Sequence, residues 1–135
     1  MADLLVNIDV DDLRKAEAFY ARAFGLKAGR RFGDAGVEML GLAAPICLLV
    51  RPAGSKAAIT IDQVCDYRRH WTPVHLDIVV DDIDAAVTRA KAAGAILEAP
   101  VKSANWGKLA LMADPFGHGF CLVEFVNRGY DEIAT

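Results

Sequence analysis

The chain has 135 residues, 54% of them hydrophobic, and a formal net charge of −3. That length fits one compact unit or two small modules sharing a core, and the composition suits a buried core rather than disorder. No apolar run approaches the ~18 residues of a membrane span, and the scattered Lys and Arg give no nucleic-acid footprint.

Met1-Ala2-Asp3 carries no basic n-region, so no signal peptide and a cytoplasmic protein are expected. Leu4 to Val10 alternates apolar and polar side chains and predicts a strand. Asp11 or Asp12 can cap the helix that follows, because a carboxylate accepts the free N–H groups of a first turn. Leu13, Ala16, Phe19, Tyr20 and Phe24 form its apolar stripe, and Gly25 supplies the left-handed stop. Three short strands fit Lys27–Phe32, Val37–Leu42 and Ile46–Arg51, with Gly33-Asp34 and Ala43-Ala44-Pro45 as turns. Residues 52–72 form a long connection without clear periodicity, a length that is usually functional or flexible. Within it, Arg68-Arg69-His70 reads as a solvated basic cluster or, less simply, an anion contact at a pocket mouth.

Pro73–Val80 is the next expected strand, and Ile83–Ala93 a helix with Val87, Ala90 and the Lys91 stem on its buried side. Strands follow at Ile96–Val101, Lys108–Ala113 and Gly119–Phe125, with Asp114-Pro115-Phe116-Gly117 as a turn whose proline fixes φ. Residues 127–135 are a polar tail, free to dangle or to cross onto a partner.

The second half repeats the first. Val6-Asn7-Ile8-Asp9-Val10-Asp11-Asp12-Leu13 is answered, 70 residues on (81 − 11), by Leu76-Asp77-Ile78-Val79-Val80-Asp81-Asp82-Ile83. Ile46-Cys47-Leu48-Leu49-Val50 is answered by Phe120-Cys121-Leu122-Val123-Glu124. Such a repeat fixes the architecture. It predicts an α+β chain of two tandem βαβββ modules, residues 1–51 and 73–126, forming one domain with a concave, cup-like mixed sheet and helices on the outer face. A ferredoxin-like arrangement needs fewer strands and leaves Val37–Leu42 and Lys108–Ala113 unassigned.

The strand period sorts the side chains. Val6, Ile8, Val10, Leu76, Ile78 and Val80 face the helices, and the opposite face carries Asn7, Asp9, His75 and Asp77. That face is expected to line one ligand cavity, with Cys47, Leu49, Cys121 and Val123 as its floor. Apolar walls with a few polar groups are the usual form of a small-molecule site. Two carboxylates and an imidazole favour a cationic or hydrogen-bond-donating ligand. Asp9 and Asp77 can equally make structural bonds to neighbouring backbone, and His75 can be a locally satisfied histidine. Trp71 and Trp106 stand beside strand ends, where each can stack on a flat ligand or close a core or a subunit contact. Glu124 lies three residues past Cys121 and should face the helix side. Three cysteines, odd in number and not closely spaced, argue against a disulfide framework, and Cys65 reads as incidental.

A doubled βαβββ module with Asp-Asp before each helix resembles the vicinal oxygen chelate superfamily: glyoxalase I, bleomycin-resistance proteins and extradiol dioxygenases. The segments that carry the resemblance are Val74 to Asp82, Asp114-Pro115-Phe116-Gly117-His118, and Phe19-Tyr20 with Phe24-Gly25-Leu26. In metal-dependent members the resemblance implies four ligands, a His or similar group early in each module and a Glu in each last strand. Here those positions are Leu5, Cys47, His75 and Cys121. One reading keeps a zinc-type site of Cys47, His75 and Cys121 with an open fourth position. The other holds that the site has been lost and the cysteines pack as small hydrophobes. Leu5 favours the second. No Fe, Mn, Ni or Mg is therefore expected, nor any other cofactor.

Three functions follow as alternatives. The first is a metal-free binder of a small organic molecule, contacting Asn7, Asp9, Cys47, His75, Asp77, Trp106 and Cys121. The second is a superfamily lyase, isomerase or dioxygenase that uses His75 as acid or base or with a Cys/His metal. The third is an interaction module without a ligand, against which the inward polar residues speak. A homodimer is expected, as two-fold pairing is the commonest assembly.

Overall fold

Both helices begin on an aspartate. The computed structural model describes residues 1–135. In it the Asp12 carboxylate accepts from the Lys15 N–H at 3.0 Å and the Asp82 carboxylate from the Ala85 N–H at 3.1 Å. These caps satisfy donors that the first turn otherwise leaves bare. They start α1 at Leu13–Phe24 and α2 at Ile83–Ala93. Gly25 (φ 68°) and Gly94 (φ 119°) end them in the left-handed region, which a Cβ disfavours.

In the first module, α1 buries Ala16, Phe19, Tyr20 and Ala23, an i, i+3, i+4, i+7 stripe. Its strands are β1 (Val6–Val10), β2 (Lys27–Arg31), β3 (Gly36–Leu40) and β4 (Ile46–Val50). They form one sheet in the order β1-β4-β3-β2, with β1 parallel to β4 and the other pairs antiparallel. Val10, Val37, Met39, Ile46 and Leu48 are almost wholly buried beneath α1.

The second module has β5 (Leu76–Val79), α2, then β6 (Ile96–Leu97), β7 (Lys102–Ala104), β8 (Gly107–Ala113) and β9 (Gly119–Phe125). The order is β5-β9-β8-β6, and β7 also pairs with β8. Again the first strand lies parallel to the last, Asp77 opposite Cys121. α2 buries Ile83, Val87 and Ala90, whereas the expected Lys91 stem is exposed.

Two strand expectations change. Pairing with β9 begins only at Leu76 opposite Phe120, so residues 73–75 are not strand. The strand expected over 96–101 is only β6, Ile96–Leu97, and stops before Pro100, whose ring nitrogen cannot donate to a ladder; β7 beyond it was not expected. The tail does not dangle. Gly129–Glu132 forms a 3-10 turn, and the Tyr130 ring packs on Phe125 and Trp106 with centroids 4.7 and 5.1 Å apart.

The chain divides into two units, Met1–Arg68 and Arg69–Thr135, each with its own sheet and helix. No helix is long and apolar enough to cross a membrane.

Candidate functional site

The second unit places polar side chains on the sheet face opposite α2. His75 precedes β5 and Asp77 lies two residues on, so the strand period points both to one side. The parallel register then sets Asp77 beside Cys121. His75 Nε2 lies 3.2 Å from Asp77 Oδ1. The ligating atoms of His75, Asp77 and Cys121 all fall within 4.8 Å of one another. His75 and Asp77 are half-exposed, while Cys121 is buried. Burial pushes the Cys121 thiol up to about 11, and the neighbouring Asp77 charge adds to that, so the group is a neutral S–H at pH 7.

Beside this trio lies a cavity of about 180 Å³. Its lining includes Leu111, Met112 and Phe120, together with His75 and Cys121, and Arg69, Trp71, Thr72 and Glu98. Arg69 and Glu98 neutralise each other: Nε and Nη2 donate to the carboxylate at 2.7 and 3.0 Å. This bidentate pair holds the Glu98 carboxyl below its usual range and raises Arg69. Gly119 makes the fit possible, since a Cβ there would lie 2.6 Å from Arg69 Nη2.

The basic cluster of the connection therefore has mixed fates. Arg68 pairs with Asp66 at the surface, as a solvated residue would. Arg69 lines the cavity. The half-buried His70 places Nε2 2.8 Å from His118 Nδ1. Arg69 stood out in the sequence only as part of that basic cluster and Glu98 not at all; 29 residues separate them.

The first unit carries the twin positions with different chemistry. Leu5 and Asn7 are exposed, and Cys47 is buried between Asn7 on β1 and Glu38 on β3. Glu38 was also missed, although it is one polar residue inside an apolar strand. The residue is 4% exposed, and its carboxylate takes Arg30 Nη2 at 2.7 Å, Nε at 3.2 Å and the Arg30 N–H at 3.2 Å. Those bonds lower its pKa. Asp9 lies 3.9 Å from Arg51 Nε, a side-chain ion pair not expected from the sequence. Trp106 packs on Phe125 and Tyr130, a closing role rather than a free stacking surface. Glu124 pairs with Lys108 at 3.6 Å, and strand alternation sets it on the face opposite Cys121.

The donors brought together within the second unit are thus His75, Asp77 and Cys121. Of the four positions that hold ligands in the superfamily's metal-dependent members, only His75 keeps an expected ligand type. Mg and Mn need oxygen-rich octahedral shells, and this set offers one carboxylate. A tetrahedral zinc site holds ligand atoms about 3.5 Å apart and needs a thiolate. Here the three ligand atoms lie within 4.8 Å of one another, and zinc would have to displace the Cys121 proton, which burial makes harder to lose.

A family model described as a glyoxalase-like domain matches residues 5–123, so the chain belongs to that family and to the vicinal oxygen chelate superfamily. An uncharacterized protein of Mycobacterium bovis is 32% identical over 140 residues, covering 96% of this chain and 88% of the relative. Among solved structures, the genomically encoded fosfomycin resistance protein FosX of Listeria monocytogenes aligns with a TM-score of 0.70 at 20% identity, over 93% of this chain and 95% of that one. A mutant of FosX complexed with Mn(II) and 1S,2S-dihydroxypropylphosphonic acid aligns at 0.68 and 20%, over 91% and 90%. At that identity the likeness is one of fold.

Proposed function

We propose that this protein binds a small organic molecule in the cavity beside His75, without a resident metal ion. The observation that carries the reading is the cavity's construction. Apolar Leu111, Met112 and Phe120 line it together with His75 and a neutral Cys121 thiol, and Asp77 pairs with His75. Apolar surface gives affinity and a few placed polar groups give orientation. Asp77 holds the imidazole, which leaves the other ring nitrogen free to meet a ligand. Cys121 contributes bulk and a weak donor rather than a nucleophile.

A second reading makes His75 an acid or base in an enzyme. The His75–Asp77 pair favours it, because a carboxylate at hydrogen-bond distance fixes the imidazole tautomer as it does in proton-transfer sites. Both readings expect the chain to work as a homodimer, which light scattering at micromolar concentration checks.

The test is a thermal-shift screen of small aromatic cations, anions and neutral analogues on protein analysed for metal. Saturable stabilisation of metal-free protein, lost in His75→Ala or Asp77→Ala variants of unchanged circular dichroism, is the expected outcome. One Fe, Mn, Ni or Mg per chain bound through His75 contradicts it. Turnover of a hit that is lost in His75→Gln with binding intact establishes the second reading.

A further inference from the structure

We propose that Trp71 is the stacking surface of this cavity and that the ligand is a small planar organic cation. This rests on the reading that the cavity beside His75 binds a ligand, and it adds the ligand's class and a specificity residue.

Trp71 lines the cavity, yet 83% of it is exposed. An indole has a large apolar face, and tryptophan is highly buried on average. The chain's other tryptophan, Trp106, follows that rule by packing on Phe125 and Tyr130. Trp71 does not, and its backbone is not frayed. The His70 N–H donates to the Gly117 carbonyl at 3.1 Å, and the His70 ring meets His118 at 2.8 Å. Arg69 is clamped by Glu98 and rests on Gly119. On the other side, the Thr72 hydroxyl donates to the Val74 carbonyl at 2.6 Å. A bare indole on an anchored segment at a cavity's edge is a surface left open for something to lie on.

The charges choose the ligand's sign. Arg69 is a poor anion site, because Glu98 already meets its charge through Nε and Nη2 and Nη1 donates to the His70 carbonyl. Glu98 is neutralised in return. Asp77 remains, half-exposed beside His75, with a histidine rather than an arginine or lysine as its partner. Asp77 does not itself line the cavity but pairs with His75, which does, and its charge and the Trp71 indole quadrupole both favour an organic cation. An anion would meet the Asp77 charge, while the Arg69 charge is already offset by Glu98. The volume sets the size: about 180 Å³ is below the ~300–1,000 Å³ of pockets for drug-sized ligands, so a single ring with a short ammonium arm fits.

The test uses benzylammonium, benzyl alcohol and benzoate, titrated calorimetrically into the full chain. A Trp106→Phe background makes Trp71 the sole tryptophan for emission measurements. Benzylammonium is expected to change Trp71 emission and to bind at least tenfold more tightly than benzyl alcohol, with benzoate weakest. Trp71→Ala should weaken benzylammonium at least tenfold, Trp71→Phe threefold or less, and Asp77→Asn at least tenfold. If Trp71→Ala binds as wild type does while His75→Ala does not, the inference about Trp71 fails and the cavity reading stands. Benzoate binding as well as benzylammonium overturns the cation assignment alone. No saturable binding of any of the three overturns both the inference and the cavity reading.

Discussion

The two modules share a scaffold and differ on one face. Each runs strand, capped helix, then antiparallel strands, with the first strand parallel to the last. On the face away from the helix, the first module carries Leu5, Asn7, Cys47 and Glu38, and its buried carboxylate is closed off by Arg30. The second carries His75, Asp77 and Cys121, with Leu111 where the register puts Glu38 in the first. Leu111 has no charge to satisfy, and it contributes to an apolar cavity wall. Duplication explains the fold, and the residues that broke the repeat mark where chemistry is to be sought.

The helix seams should break first. Phe19, 2% exposed and edge-on to Tyr20 and Phe24, anchors α1; Ile83, fully buried, anchors α2. Phe19→Ala should cost about 3–5 kcal/mol and Ile83→Ala about 2–5 kcal/mol, read from urea denaturation. A cost under 1 kcal/mol at either site would mean that helix does not cover its sheet as described.

Alkaline titration separates the cysteines next. Cys121 titrates at about 11 in the fold against 9.0 ordinarily. The unfolded chain therefore loses this proton first, and its contribution to stability is full below pH 9 and is lost as pH rises toward 11. Two pKa units correspond to about 2–3 kcal/mol. Comparing urea midpoints across that window, Cys121→Ala should lack this arm and Cys47→Ala should keep it. Equal arms in both variants would place the perturbed thiol elsewhere.

Cap deletions are smaller and should be equal in the two modules. Asp12→Ala and Asp82→Ala should each cost about 1 kcal/mol in thermal unfolding. The smallest effect expected is at Arg30, whose side chain is largely exposed. Glu38 titrates below its usual value, so its pairing stabilises at neutral pH and fades as acid protonates it. Arg30→Ala should lower the melting temperature at pH 7 more than at pH 3. The reverse order would show that the pair does not act through the Glu38 charge.

Much of the scaffold was legible because its signals are local. Asp-Asp before an apolar stripe and Gly after it fix both helices, and the 70-residue repeat transfers each assignment to the other half. The break between β6 and β7 was not legible, because a strand's end depends on where its partner stops. Tryptophan roles were also hidden. Trp106 is closed by Tyr130, whose tail had no predicted direction, and Trp71 is bare because nothing follows to cover it. The face holding His75, Asp77 and Cys121 could be read from strand period and repeat register. The Arg69–Glu98 clamp could not, since it joins the connection to a segment after α2.

The central claim is that the second module holds a ligand site that works without metal. Its most direct test is calorimetric titration of benzylammonium into protein treated with a chelator and confirmed metal-free, beside His75→Ala prepared in the same way. The account predicts the same affinity before and after chelation, and its loss in His75→Ala. Binding abolished by the chelator and restored by one equivalent of a divalent ion would contradict it.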